Sequence, residues 1–250
     1  RSRSGFARSE TGKTGLYFSG GIDSYYSFLT RRNELDALIY LDGFDVPLKY
    51  SDLRERLRKN IGNIRKVFDF PIITVETNLR DFQERFLSWS FSHGSALASV
   101  GYLLADRFSK LWIAPSGNPA SISPFGSHPD LDPLWSSDVL ITETDPVDIT
   151  KVEKLRLLSQ YPPVRETLRV CYQFPEKGLN CGVCQKCLRS MVYLQVVDSY
   201  EEFKPLFERP LDPRVLAKFH KTTDESIDML YKALQMLEKN GTYPETVQAL

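Results

Sequence analysis

Short apolar runs alternate with amphipathic stretches along the chain from about residue 15. The apolar runs have the length of buried strands and occupy residues 16–18, 37–41, 72–75, 111–114 and 139–141. The stretches between them predict helices, of which the second has apolar side chains every three or four positions: residues 22–33, 51–68 and 94–108. Strands that are apolar throughout and separated by helices indicate a parallel sheet covered on both faces. The pattern therefore predicts a doubly wound α/β fold of the Rossmann-like type.

The chain changes character on either side of this pattern. Residues 1–14 are polar and rich in Gly and Ser, which predicts a flexible lead-in, and residues 15–160 make up the predicted sheet domain. Residues 161–200 carry all four cysteines, and residues 201–250 form a predicted helical tail. One face of that tail is apolar, and we expect core packing there, with a partner protein or a second copy of the chain as the alternative. This face consists of Ile227, Leu230, Ala233, Leu234 and Leu237.

The most informative segment joins the first strand to the first helix. Adjacent glycines let the backbone approach an anion closely, and the amides at the start of the helix can hold phosphate oxygens. A carboxylate beside phosphates needs a divalent cation between them, so Asp23 is assigned to Mg²⁺. The alternative is a plain glycine turn in which Asp23 or Ser24 caps the helix. The segment consists of Ser19, Gly20, Gly21, Ile22, Asp23 and Ser24.

This Ser-Gly-Gly-Ile-Asp-Ser segment resembles the signature loop of the N-type ATP pyrophosphatases, also called PP-loop enzymes. The resemblance implies the adenine nucleotide alpha hydrolase type of fold, cleavage of ATP between the α and β phosphates, and transfer of AMP to a substrate oxygen. It also implies that the loop binds the departing pyrophosphate and that adenine lies near Asp42 and Gly43, after the second strand. Gly117 follows the fourth strand, and we expect it to shape the wall of the same pocket.

Within that superfamily, residues 15–195 are most similar to the 7-cyano-7-deazaguanine synthases (QueC-like). The shared features are the Asp-Gly pair after the second strand, a Thr-Lys-x-Glu segment that begins at Thr150, and four cysteines followed by Leu-Arg. Lys151 is our candidate for stabilising charge on the α-phosphate during attack, with an ordinary surface lysine as the alternative. The segments that recognise the substrate in those synthases are replaced here by residues 89–94 and 126–133.

Four cysteines are arranged as metal ligands. Cys181, Cys184 and Cys187 follow a Cys-x-x-Cys-x-x-Cys spacing, and Cys171 lies ten residues upstream. Four thiolates with no open position make a structural zinc site, which is our prediction. An iron–sulfur cluster suits similar spacing, and two disulfides would need an oxidising compartment. Because every cysteine is used, none is left as a catalytic thiol, which disfavours a tRNA-modifying enzyme that transfers sulfur.

Three further side chains are candidates for substrate binding. His93 directly precedes the predicted helix 94–108 and can face the substrate, although a capping or core role is the alternative. His128 and Asp132 belong to a loop rich in Pro and Gly, the kind of segment that often carries binding residues. These three are therefore the predicted substrate residues.

Composition excludes several classes of protein. The 32 basic and 32 acidic side chains give a formal net charge of zero, which argues against a main role in binding nucleic acid. No apolar run approaches the roughly 20 residues of a spanning helix, so we expect no membrane segment. A cytoplasmic location is expected for an ATP enzyme with reduced thiols. The chain begins with Arg1 rather than Met, so sequence upstream of it can be missing.

Taken together, these features predict an ATP-dependent adenylating ligase. Such an enzyme activates a carboxylate or amide oxygen as an AMP ester and then forms a C–N bond. It would use ATP with Mg²⁺, contain structural Zn²⁺, and act on a small molecule or on the end of a protein. The alternative from another class is a non-catalytic, nucleotide-binding regulatory protein that docks a partner.

Overall fold

Five strands form one parallel sheet, as the alternation of apolar runs and helices predicts. The computed structural model describes residues 12–115, 126–145, 149–218 and 224–248. The strand order is β3-β2-β1-β4-β5, and every neighbouring pair is parallel. The chain is therefore an α/β protein with β1 at the centre of its sheet. The strands are β1 (Thr14–Tyr17), β2 (Ala37–Asp42), β3 (Ile72–Glu76), β4 (Lys110–Ile113) and β5 (Ile141–Thr144).

The fifth strand begins where its apolar run ends. Val139 and Leu140 are buried, but they precede β5, whose residues are mostly polar. Polar side chains suit this strand because it lies at the edge of the sheet and has only β4 as a neighbour. Its Glu143 forms an ion pair of 2.7 Å with Lys110 of β4. The apolar run thus marks burial rather than the strand itself, and the predicted strand starts two residues too early.

The helices match the predicted ones in their interiors and differ at their ends. The helix predicted over residues 94–108 runs from Trp89 to Leu103, because Trp89 packs edge-on against Phe44 and so holds an additional first turn. Short 3-10 turns lie at residues 32–34, 132–135 and 204–206. The α-helices are α1 (Ile22–Arg31), α2 (Ser51–Val67), α3 (Leu79–Gln83), α4 (Trp89–Leu103), α5 (Lys151–Leu158), α6 (Pro162–Thr167), α7 (Gln185–Val196), α8 (Tyr200–Phe203), α9 (Pro213–Leu216), α10 (Asp224–Asn240) and α11 (Pro244–Val247).

The described residues belong to two compact units. The first contains the sheet and comprises the described parts of residues 1–19, 23–49 and 65–148. The second comprises the described parts of residues 20–22, 50–64 and 149–250, and it contains all four cysteines. Within the described ranges, no helix is both long enough and apolar enough to span a bilayer.

Helix α4 packs closely on the sheet of the first unit because it is built from small residues. Ala96 and Val100 of α4 belong to the same apolar cluster as the strand residues Ile39 and Leu111. A Cβ atom at Gly101 would lie only 3.0 Å from side-chain atoms on three sides, so the helix approaches the sheet at a glycine. Leu16 and Leu38 are fully buried and point to the opposite face by strand alternation. Helix α1 contributes rings that meet Phe18, those of Tyr25 and Phe28.

The second unit has a helical core centred on α7 and α10. Most of α7 is buried, including Leu188 and Met191. Along α10, the apolar face predicted from the sequence is buried at Leu230, Ala233, Leu234 and Leu237. Core packing therefore accounts for this face of the tail, and helices α7 and α10 contact each other.

Candidate metal centre and nucleotide loop

The four cysteine sulfurs converge on one point in the second unit. All four Sγ atoms lie within 4.8 Å of one another, with 3.7 Å between Cys171 and Cys184 and 4.0 Å between Cys181 and Cys187. Thiolates at about 2.3 Å from one zinc ion in a tetrahedron are separated by about 3.8 Å. The cluster can therefore hold a single metal ion such as zinc, with all four positions filled by protein.

The same distances weigh against the two alternative uses of the cysteines. A disulfide needs its sulfurs at about 2.05 Å, and the Cys171–Cys184 and Cys181–Cys187 pairs are nearly twice as far apart. In a [4Fe–4S] cluster each thiolate binds a different iron, so its sulfurs must be further apart than those around one ion. Four sulfurs that are all mutually close fit one ion better than a cluster.

A tight backbone turn aims these sulfurs. Cys184 is the N-cap of α7, and its Sγ accepts a hydrogen bond from the Cys187 N–H, while the Cys181 Sγ accepts one from the Cys184 N–H. Gly182 has φ +75°, and a Cβ atom there would lie 2.1 Å from the carbonyl oxygen of Arg209. Only glycine fits this position, because the left-handed backbone and the close carbonyl both exclude a side chain.

Asn180 is a functional residue that spacing rules do not identify. It is fully buried, and its Oδ1 accepts hydrogen bonds from the N–H groups of Val170 and Cys171. Its Nδ2 donates to the carbonyl oxygens of Leu168 and Leu206. This side chain therefore fixes the remote ligand Cys171 beside the knuckle of the other three. Its only sequence signal is its position directly before Cys181, which gains meaning once Cys171 is known to lie next to it.

Without a bound cation the sulfurs share their protons unequally. Hydrogen bonds from the thiols of Cys171 and Cys187 lower the pKa of Cys184 far below its ordinary value. The hydrogen bond with Cys184 raises the pKa of Cys171, and hydrogen bonds with Cys171 and Cys184 raise the pKa of Cys187. One thiolate is thus stabilised by its neighbours at the expense of the others, and a cation at the centre would allow all four to ionise.

The Ser-Gly-Gly loop follows β1 and leads into α1. Gly20 has φ +75°, and no atom lies within 4 Å of the place where its Cβ would be, although the residue itself is buried. Ser24 is buried in the first turn of α1, and its Oγ accepts a hydrogen bond of 3.3 Å from the Ser19 N–H. Asp23 is half-buried in the same turn, and Gly21 and Asp23 both make polar interactions within the protein. The loop therefore combines a left-handed glycine, open space beside it and a helix N-terminus.

Arg169 is a second residue that the sequence pattern misses. Its backbone N–H donates a hydrogen bond of 2.9 Å to the carbonyl oxygen of Gly20, within the second unit. Its side chain is only 6% exposed, and it makes polar interactions within the protein. A buried guanidinium is a fixed positive charge of the kind that suits an anion site, and here it belongs to a residue whose backbone contacts the glycine turn. Arg169 lies two positions before Cys171, with only Val170 between them, and this is the one feature of its sequence position that could have drawn attention to it.

The predicted adenine residues occupy the carboxyl end of β2. Asp42 is completely buried, and its carbonyl oxygen accepts a hydrogen bond from the Thr77 N–H. Gly43 has φ +113°, and a Cβ atom there would lie 2.0 Å from the Thr77 carbonyl oxygen. Close packing of the segments after β2 and β3 therefore explains this glycine. Gly117 lies outside the described residues.

The Thr-Lys-x-Glu segment forms a capping box at the start of α5. The Thr150 Oγ1 accepts from the Glu153 N–H, and the Glu153 carboxylate accepts from the Thr150 N–H. The latter bond, followed by the one from the Thr150 hydroxyl, lowers the pKa of Glu153. Lys151 is half-buried in the first turn, whereas Lys154, one turn later, is 1% exposed. Both lysines make polar interactions within the protein.

The predicted substrate residues lie in the first unit. The His93 Nδ1 lies 3.1 Å from the carbonyl oxygen of Trp89 on the same helix. Asp132 is completely buried and accepts hydrogen bonds from the Ser127 and Thr144 hydroxyls and from the His128 N–H. Asp132 thus has a structural role, since it fixes the loop that carries His128.

Comparisons of the chain with protein-family models, with curated proteins and with solved structures find no match. The resemblance to PP-loop enzymes therefore depends on the motifs quoted above, and the geometry of the site carries the functional argument.

Proposed function

We propose that this protein is an ATP-dependent adenylating ligase of the PP-loop type, similar to the QueC-like synthases. The observation that carries the proposal is the loop after β1. It has a left-handed glycine with open space beside its α carbon, and it leads directly into a helix of ten residues. Open space at this position is what a bound phosphate would require, and backbone amides at a helix N-terminus favour an anion.

The place of the loop in the sheet also supports the proposal. In the order β3-β2-β1-β4-β5, the direction of strand succession reverses between β1 and β4. Ligands of doubly wound sheets bind outside the carboxyl ends of the strands at such a point, and the loop begins at the carboxyl end of β1. The rings of α1 that meet Phe18, opposite the cluster formed with α4, are consistent with this doubly wound type.

In this proposal, each part of the loop has a distinct role. The amides around Gly20 and Gly21 bind the β and γ phosphates of ATP, and the hydroxyls of Ser19 and Ser24 donate further hydrogen bonds. Asp23 would hold Mg²⁺, which would neutralise charge that develops on the phosphates. The acceptor's carboxylate or amide oxygen attacks the α-phosphorus, and pyrophosphate leaves. Lys151 stabilises the charge of that transition state, and ammonia or an amine then displaces AMP to form the C–N bond.

The metal centre has a structural role in this proposal. All four thiolates would bind the zinc, so no open position or uncoordinated cysteine would remain for chemistry at the metal or for sulfur transfer. A site of four reduced thiolates also supports a cytoplasmic location. The acceptor is a small molecule or the end of a protein.

The products of ATP cleavage test the proposal. Incubation of the protein with ATP, Mg²⁺, ammonia and a panel of carboxylates should yield AMP and pyrophosphate. Formation of ADP and phosphate instead would overturn it. If the protein binds ATP but releases no AMP with every carboxylate of the panel, the regulatory alternative is favoured.

A further inference from the structure

Two buried polar atoms near the start of α4 have no hydrogen-bond partner among the described residues: the Oγ of Ser92 and the Nε2 of His128. Ser92 as a whole is only 3% exposed. The His128 side chain is 17% exposed, but its Nε2 atom is buried. Buried polar groups are nearly always paired, so two unpaired ones in one region point to a group that the described residues do not supply.

The tautomer of the neutral His128 ring follows from the hydrogen bond at its other ring nitrogen. Its Nδ1 accepts a hydrogen bond of 3.1 Å from the Asp130 N–H, so the proton of the neutral ring is on Nε2. The buried Nε2–H is therefore a hydrogen-bond donor. The loop is held in place by Asp132, which accepts from the His128 N–H and from the Ser127 hydroxyl. The donor is thus pre-positioned by the fold.

The loop of His128 packs directly against the helix of Ser92. The Gly126 N–H donates a hydrogen bond of 2.8 Å to the Ser90 carbonyl oxygen in the first turn of α4. A Cβ atom at Gly94 would lie 1.7 Å from the Gly126 carbonyl oxygen and 3.3 Å from the Cα of Ser127. Only glycine at position 94 permits this approach, which brings the two segments together at the same end of α4.

The end of α4 is electrostatically suited to an anion. Helix α4 has 15 residues, and its N-cap residue Ser88 makes no side-chain hydrogen bond to the first turn. Side chains of a helix incline toward its N-terminus, so Ser92 leans toward this positive end. A hydroxyl, an imidazole N–H and a helix N-terminus form a set of donors that matches the oxygens of a carboxylate.

We propose that Ser92 and His128 bind a carboxylate group of the acceptor substrate at the N-terminal end of α4. This inference rests on the proposed ligase function. The ligase would either activate the bound carboxylate or use it to hold the substrate while another oxygen is activated. Asp132 does not compete for the ligand, because its carboxylate is occupied by the three donors of its own unit. An internal water molecule is the other occupant that could satisfy the two atoms.

Binding of carboxylates in the absence of ATP tests the proposal. The probes are acetate and benzoate, with acetamide and benzamide as uncharged counterparts, and binding is measured by calorimetry and by the shift in melting temperature of the full chain. We expect a carboxylate, but not its amide, to bind the wild type. Ser92→Ala and His128→Asn should each weaken that binding at least tenfold, since His128→Asn keeps an acceptor for the Asp130 N–H but lacks the Nε2 donor.

Two further variants make the result decisive. His128→Gln places an amide N–H near the position of Nε2 and should restore most of the binding. Ser99→Ala, on the exposed side of the same helix, should leave it unchanged. Failure of acetate and benzoate to bind the wild type, or equal binding by wild type, Ser92→Ala and His128→Asn, would overturn the inference in favour of internal water. Because no nucleotide is present, this outcome is separate from failure of the ligase proposal, which is judged by AMP release alone.

Discussion

The cysteine knuckle and the Ser-Gly-Gly loop use the same backbone conformation for opposite purposes. Gly182 and Gly20 both have φ +75°. At Gly182 the backbone of Arg209 lies where a side chain would be, whereas at Gly20 the same place is open. A left-handed glycine can therefore mark either a crowded contact within the protein or a space kept for something else. Only the surroundings of the Cβ position distinguish the two.

The two regions also differ in what completes them. In the knuckle, four side chains and the buried amide of Asn180 already define where an ion belongs. In the loop, the binding groups would be backbone amides, which every chain possesses, and the proposed ligand is ATP. The knuckle would thus specify a metal by ligand type and spacing, while the loop would specify the proposed ligand by conformation and place in the sheet. Three predictions test this contrast, and a fourth tests the capping box of α5, which lies outside both regions.

The largest effect is expected for Cys184→Ser, which removes one of the four sulfur ligands. Structural zinc contributes on the order of 10 kcal/mol to the folding of small zinc domains, so we expect loss of bound zinc and a melting temperature lowered by at least about 10 °C. Metal analysis and thermal melts followed by circular dichroism measure both. Ser190→Ala, on the same helix, is the control that should retain zinc. A visible absorption band bleached by reductant would show that iron, not zinc, occupies the centre.

Next in size is the effect of Asp23→Ala on AMP formation. If Asp23 holds the cation that neutralises the phosphates, we expect turnover to fall by a factor of about 100 or more. Zinc content should be unchanged, which separates the loop from the knuckle. The matched control is Asp52→Ala, which removes an acidic residue from the first turn of α2. Retention of AMP formation by Asp23→Ala would refute the metal assignment.

The paired substitutions Gly182→Ala and Gly20→Ala compare the two glycines directly. Both place a side chain at a positive φ, which lowers the free energy of unfolding by about 1–2 kcal/mol. Only Gly182→Ala adds a clash with the backbone of Arg209, so we expect it to lower the free energy of unfolding by roughly 3–4 kcal/mol in total. Gly20→Ala should fold but bind ATP more weakly, because its methyl group enters the open space. Urea denaturation and calorimetry measure the two effects.

A third glycine serves as the control for this pair. Gly62 lies inside α2 with no atom near its Cβ position and no positive φ, so Gly62→Ala should stabilise the protein by up to about 1 kcal/mol. Equal losses of stability for Gly182→Ala and Gly20→Ala would mean that the close contact at Gly182 does not add to the cost of the substitution in the free energy of unfolding.

The smallest effect concerns the capping box of α5. Because the folded-state pKa of Glu153 is lowered, its contribution to stability is present above its unfolded pKa, near 4.5, and is lost as pH falls through the folded value. Gln keeps the hydrogen-bond acceptor but lacks the charge near the helix N-terminus, so Glu153→Gln should reduce stability by about 0.5 kcal/mol at pH 7, and the difference should vanish at strongly acidic pH. Urea denaturation across this range measures it. Glu55→Gln, at an exposed site of α2, controls for removal of a charge, and an equal loss there would contradict the capping role.

The sequence alone predicted those features whose residues lie close together in the chain. The three cysteines of the knuckle lie within seven residues, so their spacing alone indicates a common ligand. Strands β1, β2 and β4 lie inside the sheet and are largely buried, so burial and strand position coincide there, whereas β3 is an apolar run at an edge of the sheet and is only partly buried. At β5 burial and strand position differ, because Val139 and Leu140 are buried before the edge strand begins.

Sequence was insufficient where the signal depends on contacts between distant segments. The burial of Arg169 and its bond to Gly20 join positions almost 150 residues apart, and no spacing rule connects them. The early start of α4 depends on Phe44, which lies far from Trp89 in the chain. For His128, the loop context drew attention to the residue, but the proton on Nε2 follows only from the contact with Asp130.

The hydrogen bond from Arg169 to Gly20 has a practical consequence for handling the protein. The segment that supplies this bond continues without interruption into the first cysteine and is anchored there by Asn180. Chelators or oxidants that strip the ion will therefore loosen the glycine turn as well, although they never touch it. If the cluster holds a metal ion and the loop binds nucleotide as proposed, preparations purified with EDTA should lose nucleotide affinity together with the metal.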